Sequence, residues 1–266
     1  MKKTHKLLAL SVLLLFLWGC TGLTGGYQRR NIATDMPVMT DGQQTLYVYS
    51  CLPREGYFRE ENGTFCLAEN PYPDDTLTEC APGLRLVMDA WRIGLMQDLV
   101  PAFAPEDAFL EAGFRQLMDE EDYFECRIYE KDGEYFGILN CYRRCAGRSG
   151  TILAYEDLKY GRLLTVENGA LVFGEKMNDT ALLACNSSHY ITYRDKTISS
   201  MCKATGQQLE ITEDLWWEQR PSDTGYVTFC QTEDVFYMTG CHEDVYTVYA
   251  CYMDGTGLQQ LLCEPK

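Results

Sequence analysis

From Tyr123 onward the chain is divided into short runs rich in β-branched and aromatic residues, each closed by a turn signal. This punctuation constrains the fold most, because short runs that reverse at glycine, asparagine or aspartate pair most simply as antiparallel neighbours. The runs cover residues 123–129, 135–142, 151–155, 163–166, 170–174, 181–185, 190–193 and 197–202. They continue at 208–212, 226–230, 235–239, 245–253 and 258–263. Turns fall at Asp132-Gly133, Gly161, Asn168-Gly169, Gly206 and Asp254-Gly255-Thr256-Gly257. Asp132-Gly133 is a strong two-residue hairpin signal. With Lys131 facing Glu134, Cys126 faces Leu139 and Phe124 faces Cys141.

Upstream the period changes. Residues 45–50 read as a strand, and 52–83 as loop with one short strand at 64–67. Leu84, Met88, Trp91, Leu95 and Leu99 then recur at helical spacing, with Arg85, Asp89, Arg92 and Asp98 between them. Pro101 stops this helix. A second begins at Pro105-Glu106-Asp107, with proline and acids in its first turn. Leu110, Phe114 and Leu117 form its inner face, and Gly113 weakens it. The expected fold is α+β, a mainly antiparallel body with a helical pair near 84–119. The alternative is a partial propeller-like β-meander. Residues 27–169 form the α+β part and 170–266 the β-meander part, or the two make one continuous domain.

The N-terminus carries an address. Lys2, Lys3 and Lys6 precede an apolar run from Leu7 to Trp18, too short to span a bilayer. The run ends in Leu17-Trp18-Gly19-Cys20, which resembles the lipobox of bacterial lipoproteins; Trp18 departs from the small residue usual there. The resemblance implies a signal peptide over 1–19, lipidation of Cys20, and a tether over 20–26 on the extracytoplasmic face of the cell membrane. Two acyl chains anchor a protein stably where one does not. Loss of the three lysines takes the formal charge from −16 to −19. So acidic a chain is a poor partner for nucleic acid.

Two further resemblances concern the body. The helices, the 123–142 hairpin, Ala146-Gly147 and the stretch Tyr155-Glu156-Asp157-Leu158-Lys159-Tyr160-Gly161-Arg162-Leu163-Leu164-Thr165 are similar to an extracytoplasmic domain family. Its members occur in lysozyme-sensing anti-sigma factors and beside peptidoglycan deacetylase domains. Arg143, Arg144, Cys145 and Arg148 alter the glycine-rich stretch of that family. Tyr252-Met253-Asp254-Gly255-Thr256-Gly257-Leu258, with the strands before it, resembles the inter-strand turn of TolB- and YWTD-like propeller blades. It is echoed at Lys203-Ala204-Thr205-Gly206-Gln207-Gln208-Leu209.

Twelve cysteines follow Cys20. An even number outside the cytoplasm invites disulfides. Yet several stand where a core residue belongs, and Cys126 and Cys141 come out as diagonal neighbours, too far apart for an unstrained bridge. Most therefore read as small apolar fillers.

Sets that carry chemistry are sparse. Gly147-Arg148-Ser149-Gly150 is not a nucleophile elbow. Only His189 and His242 remain after cleavage, so a Cys–His dyad needs distant residues to meet. Cys141 and Cys145 lack the further ligands zinc requires. No phosphate loop is present, and no metal or cofactor is expected. The acidic pairs, Asp119-Glu120-Glu121-Asp122 among them, read as solvated faces. Trp216-Trp217 lies in a turn region where adjacent indoles are hard to bury together. With Tyr226 they are the candidate ligand contacts, and Phe229, Tyr237, Tyr246, Tyr249 and Tyr252 extend that surface. The expected function is a surface-anchored, non-catalytic binding or sensing module for a glycan or protein ligand. The alternatives are an envelope hydrolase with converging carboxylates and a structural partner in a surface assembly.

Overall fold

In a computed structural model, the described residues are 28–29, 38–39, 45–51, 54–69, 84–93, 101–143, 157–195, 197–212, 226–242 and 245–265. They are mostly strand, arranged in four antiparallel sheets. Sheet I contains β2 (Val38–Met39), β3 (Thr45–Cys51), β4 (Arg54–Glu61) and β5 (Thr64–Ala68). Sheet II runs β1 (Gln28–Arg29), β6 (Arg85–Ile93), β7 (Tyr123–Lys131), β8 (Glu134–Tyr142), β9 (Leu158–Glu167) and β10 (Ala170–Phe173). There β11 (Met177–Asn178) also pairs with β9. Sheet III holds β12 (Ala181–Cys185), β13 (His189–Arg194), β14 (Thr197–Cys202) and β15 (Gln208–Thr212). Sheet IV holds β16 (Tyr226–Gln231), β17 (Val235–His242), β18 (Val245–Tyr252) and β19 (Gln259–Pro265).

Local turn chemistry sets these meanders. Asn62-Gly63, Asp132-Gly133 and Asn168-Gly169 all carry positive φ at both residues, 51° and 81°, 52° and 85°, and 53° and 72°. Those values match the type I′ turn, whose twist suits a two-residue hairpin. In the second of them Lys131 pairs with Glu134, Cys126 with Leu139 and Phe124 with Cys141, as the turn requires. Cys126 and Cys141 are free, buried thiols on the same face.

Among the described residues, the helical pair is corrected to a single α-helix. Residues 110–120 form α1 (Leu110–Glu120) after a short 3₁₀ turn at Pro105–Asp107. The described part of the first expected helix, Arg85–Ile93, is instead β6, paired with β7 and β1, while Leu95 and Leu99 lie outside the described residues. A bulge between Leu86 and Met88 explains the misreading. Leu84 and Leu86 pack on one side of the sheet, whereas Val87, Met88 and Ala90 pack on the other. The bulge breaks the period-two pattern, and the apolar positions then imitate helical spacing. Within the stretch read as loop, residues 54–61 are corrected to β4, which pairs across Asn62-Gly63 with β5, the short strand expected at 64–67; residues 70–83 lie outside the described residues. Charged, exposed Glu60 and Glu61 hid β4, whose buried anchor is Phe58.

The sheets pack in the order II–III–IV–I. Leu110, Phe114 and Leu117 of α1 cover one face of sheet II, against Phe124, Cys126, Ile128 and Leu139. Gly113 is there for close approach, because a Cβ would lie 2.6 Å from Leu171 Cβ. The opposite face of sheet II packs Leu86, Tyr129 and Phe136 on Leu182 and Cys185 of β12. Ile191, Ile198 and Ile211 then meet Phe236, Met238 and Cys251 of sheet IV. Tyr237 and Val248 of sheet IV meet Tyr47, Phe58 and Phe65 of sheet I.

β12 is an edge strand with every residue buried. Its outer backbone groups therefore need partners other than water. Side-chain amides of the neighbouring sheets supply them. Asn140 Nδ2 donates to Leu182 O at 2.8 Å, and its Oδ1 accepts from Leu182 N at 2.8 Å. Gln231 does the same at Cys185, accepting from its N at 2.8 Å and donating to its O at 2.5 Å. Arg127 donates to Leu183 O at 3.0 Å. The edge is closed as a strand would close it, and sheets II and IV are keyed to sheet III.

Candidate functional site

Just past Cys185 the same kind of polar chemistry changes character. The β12–β13 turn places Asn186, Ser187 and Ser188 beside Glu233 of the β16–β17 turn, Lys131 at the end of β7, and Lys203 after β14. Asn186 is the hub. Its Nδ2 donates to Glu233 O at 2.6 Å, and its Oδ1 accepts from the backbone N–H groups of Ser188 and His189 at 2.9 and 2.5 Å. Its carbonyl accepts from Lys203 Nζ. Three sheets thus send turns to one end of the molecule.

Glu233 is the buried acid of this cluster, with its side chain 10% exposed. Oε1 accepts from Ser187 Oγ at 2.5 Å and pairs with Lys131 Nζ at 3.0 Å. Oε2 is buried with no hydrogen-bond partner among the described residues. A carboxylate oxygen left so has acceptor capacity to spare. Ser188 Oγ lies 2.9 Å from His189 Nδ1, yet the carboxylate bonds Ser187 rather than the imidazole. The serine, histidine and acid therefore do not form the relay of a nucleophilic triad.

Lys203 joins this cluster to a cavity of about 260 Å³ lined by Leu163, Thr165, Tyr190, Cys202, Lys203 and Gly206. The Lys203 ammonium sits 5.0 Å from the centre of the Phe136 ring, a cation–π contact that holds it across the gap between sheets II and III. Cys202 is partly exposed. The Thr205 hydroxyl and the backbone N–H groups of Thr205 and Ala204 bond its sulfur and hold the thiol below its ordinary value. Burial acts oppositely on the core thiols, pushing Cys141 and Cys251 up to about 12 and Cys185 to about 11.

The other buried acids are committed to the fold. Asp107, its side chain 2% exposed, accepts both Arg85 guanidinium nitrogens at 2.7 and 3.0 Å and the Tyr135 hydroxyl at 2.8 Å. The Arg85 bonds hold its carboxyl below the usual range against the opposing effect of burial. Glu121 accepts Lys159 Nζ at 3.0 Å and the Tyr160 hydroxyl at 2.5 Å, fixing the end of α1 to β9. Arg92 donates to the carbonyls of Met118 and Glu121, satisfying groups a helix C-terminus leaves open.

Of the sequence-derived candidates, Cys20, Trp216 and Trp217 lie outside the described residues. Tyr226 opens β16 opposite Cys241, with its side chain outside the described set. The aromatic residues read as extending their surface belong to the interior. Phe229, Tyr237 and Tyr246 are buried, while Tyr249 and Tyr252 pack against core clusters. Alternation along β17 and β18 points these rings at sheets III and I. The sequence did hold a signal for the site that was missed. Counting back from the Asp195 turn puts His189 opposite Cys202, as observed.

No family model, curated protein or solved structure matches the chain. Among the described residues, no group of three or more His, Cys, Asp or Glu is placed to hold a metal ion. None of their helices is long and apolar enough to cross a membrane.

Proposed function

We propose that this protein is a lipid-anchored, extracytoplasmic binding or sensing module whose ligand seats at the converged turns of sheets II, III and IV. We read the four meanders as a partial propeller, an architecture that presents loops at the ends of stacked sheets. The lipobox-like Leu17-Trp18-Gly19-Cys20 supports the location. One observation carries the binding reading: the buried Glu233 Oε2, open to a donor, linked through Asn186 and Lys203 to the cavity.

The chemistry of the cluster suits an envelope glycan. A ligand hydroxyl or amide N–H supplies the donor Glu233 lacks, Asn186 and Lys203 order the rim, and Tyr190 and Leu163 offer apolar wall to a sugar face. Trp216, Trp217 and Tyr226 are proposed as further aromatic contacts. A hydrolase reading finds less support. Asp107, Glu121 and Glu233 each face a cation of their own, Arg85, Lys159 and Lys131, rather than a shared cleft.

The test is a thermal-shift panel on the detergent-solubilised protein against muropeptides and oligosaccharides. A ligand at 100 times its Kd stabilises the native state by about 2.7 kcal/mol, several degrees for a chain this size. A shift with one sugar class, reduced in Lys203→Ala, supports the reading; a flat panel from folded protein counts against it. Location is tested separately, since Cys20→Ser is expected to release the protein from the membrane fraction.

A further inference from the structure

The acid at the converged turns has room for one more donor. Lys131 Nζ and Ser187 Oγ both bond Glu233 Oε1, at 3.0 and 2.5 Å, and Oε2 has no hydrogen-bond partner among the described residues. The side chain is 10% exposed, so a donor for that oxygen replaces hydration the fold has removed. Other acids gather round it. Lys131 is held above its ordinary value by its hydrogen bond to Glu233, against burial, with the charges of Glu233, Asp234 and Asp132 adding to it. Asp234 also acts on Tyr47 of sheet I, where burial, then Asp234 and Glu60, push the phenol up to about 12. Asp132, Asp234 and Glu60 are exposed. Sheet I thus joins the other three at this end, and the rim around the buried carboxylate is acidic. Lys203, for its part, is occupied by the Asn186 carbonyl and the Phe136 ring.

Resting on the binding reading above, we propose that the ligand group seated at Glu233 Oε2 is the protonated amine of an amino sugar, one whose nitrogen carries no acyl group. A sugar hydroxyl brings one donor and no charge. An ammonium brings three donors and the charge that an acidic rim draws in. Its bond to a carboxylate is also roughly twice as strong as a neutral one. Lys131 already shows that this carboxylate takes an ammonium at hydrogen-bond distance. Ser187 is exposed and the Lys131 side chain is 31% exposed, so the path to the carboxylate opens by turning two side chains and moving no backbone. The neighbouring cavity of about 260 Å³, with Tyr190 and Leu163 in its wall, is left for the sugar ring. An N-acetyl group removes the charge and two of the three donors, so the site selects the free amine.

The experiment titrates the full-length protein, natively folded in detergent, with chitosan trisaccharide and with its fully N-acetylated form. The pH is about 6, where the amines carry their protons, and the amide signals of the three turns are followed by NMR. The free-amine form is expected to bind at least about tenfold tighter, and less tightly as salt is raised. Glu233→Gln is expected to level the two affinities. Lys131→Met removes a competing cation and is expected to tighten the free-amine form severalfold while leaving the acetylated form unchanged. Equal or tighter binding of the acetylated form at the same turns overturns the amine assignment and leaves the binding reading standing. Weaker binding of the free amine to Lys131→Met overturns it as well. Turns silent to both trisaccharides also overturn it, and the binding reading falls with it only where muropeptides leave the turns silent too. The wild-type comparison suffices even where a variant fails to fold.

Discussion

Two side-chain amides, Asn140 and Asn186, stand at either end of β12 and do opposite things. Asn140 is 1% exposed and closes both backbone groups of Leu182, in the geometry of a paired strand. Asn186 is 4% exposed, yet its neighbours Ser187 and Ser188 are open to solvent, and the acid it holds keeps one oxygen unpartnered. The comparison teaches where polar burial ends as architecture and begins as a site. A buried amide that satisfies strand backbone on both sides is fold. A buried acid with an open oxygen, ringed by turns from three sheets, is available to something else.

The largest expected effect is on the architectural end. Asn140→Leu or Gln231→Leu leaves a buried N–H and a buried C=O of β12 without partners. At about 1–3 kcal/mol for each of the two orphaned groups, destabilisation of roughly 2–6 kcal/mol is expected, measured by denaturant unfolding. Loss below about 0.5 kcal/mol would remove the distinction between the two ends.

Next comes Arg85→Ala, which strands the buried Asp107. The arginine is 41% exposed, so solvent screening reduces the loss to about 2 kcal/mol. Its pH dependence has a definite sign. Asp107 is held below its ordinary value, so its contribution is fully present above about pH 4 and fades as pH falls through the folded value. The gap between wild type and Arg85→Ala is therefore expected to close on acidification below about pH 4. A gap that widens would show that Arg85 acts otherwise.

Glu233→Gln is the sharper probe of the site end. It weakens the Lys131 pair and the Ser187 bond but preserves shape, so a cost of about 1 kcal/mol or less is expected. Binding should suffer more than stability. The smallest stability effect belongs to Lys203→Ala, within about 0.5–1 kcal/mol through the lost contacts to Phe136 and Asn186. A large stability loss at both Glu233 and Lys203, with binding unchanged, would reassign the whole cluster to the fold.

Much of the sheet scaffold was legible because turn chemistry and side-chain period agree along it. Asp132-Gly133 sets the register of β7 on β8, and the boundaries of β12, β14 and β15 follow from alternation between turn residues. β6 was misread because its bulge throws Leu86 and Met88 onto opposite faces, and one strand then mimics a helix. β4 was hidden by its charge. The site was largely illegible for a different reason. Lys131, Asn186, Lys203 and Glu233 lie far apart in sequence and meet only when three sheets stack, a juxtaposition no local period encodes. Aromatic richness misled in the opposite direction, since Tyr237 and Tyr246 are interior rings that join sheets IV and I.

The most direct measurement of the central claim is residue-resolved mapping of a muropeptide or oligosaccharide titration by amide NMR on the folded protein. The account predicts saturable shifts at Asn186, Ser187, Ser188, Lys203 and Glu233, weakened in Glu233→Gln, with the Asn140–Leu182 junction unmoved. Saturable binding whose shifts leave the three turns silent, or no binding by any envelope ligand, would contradict it.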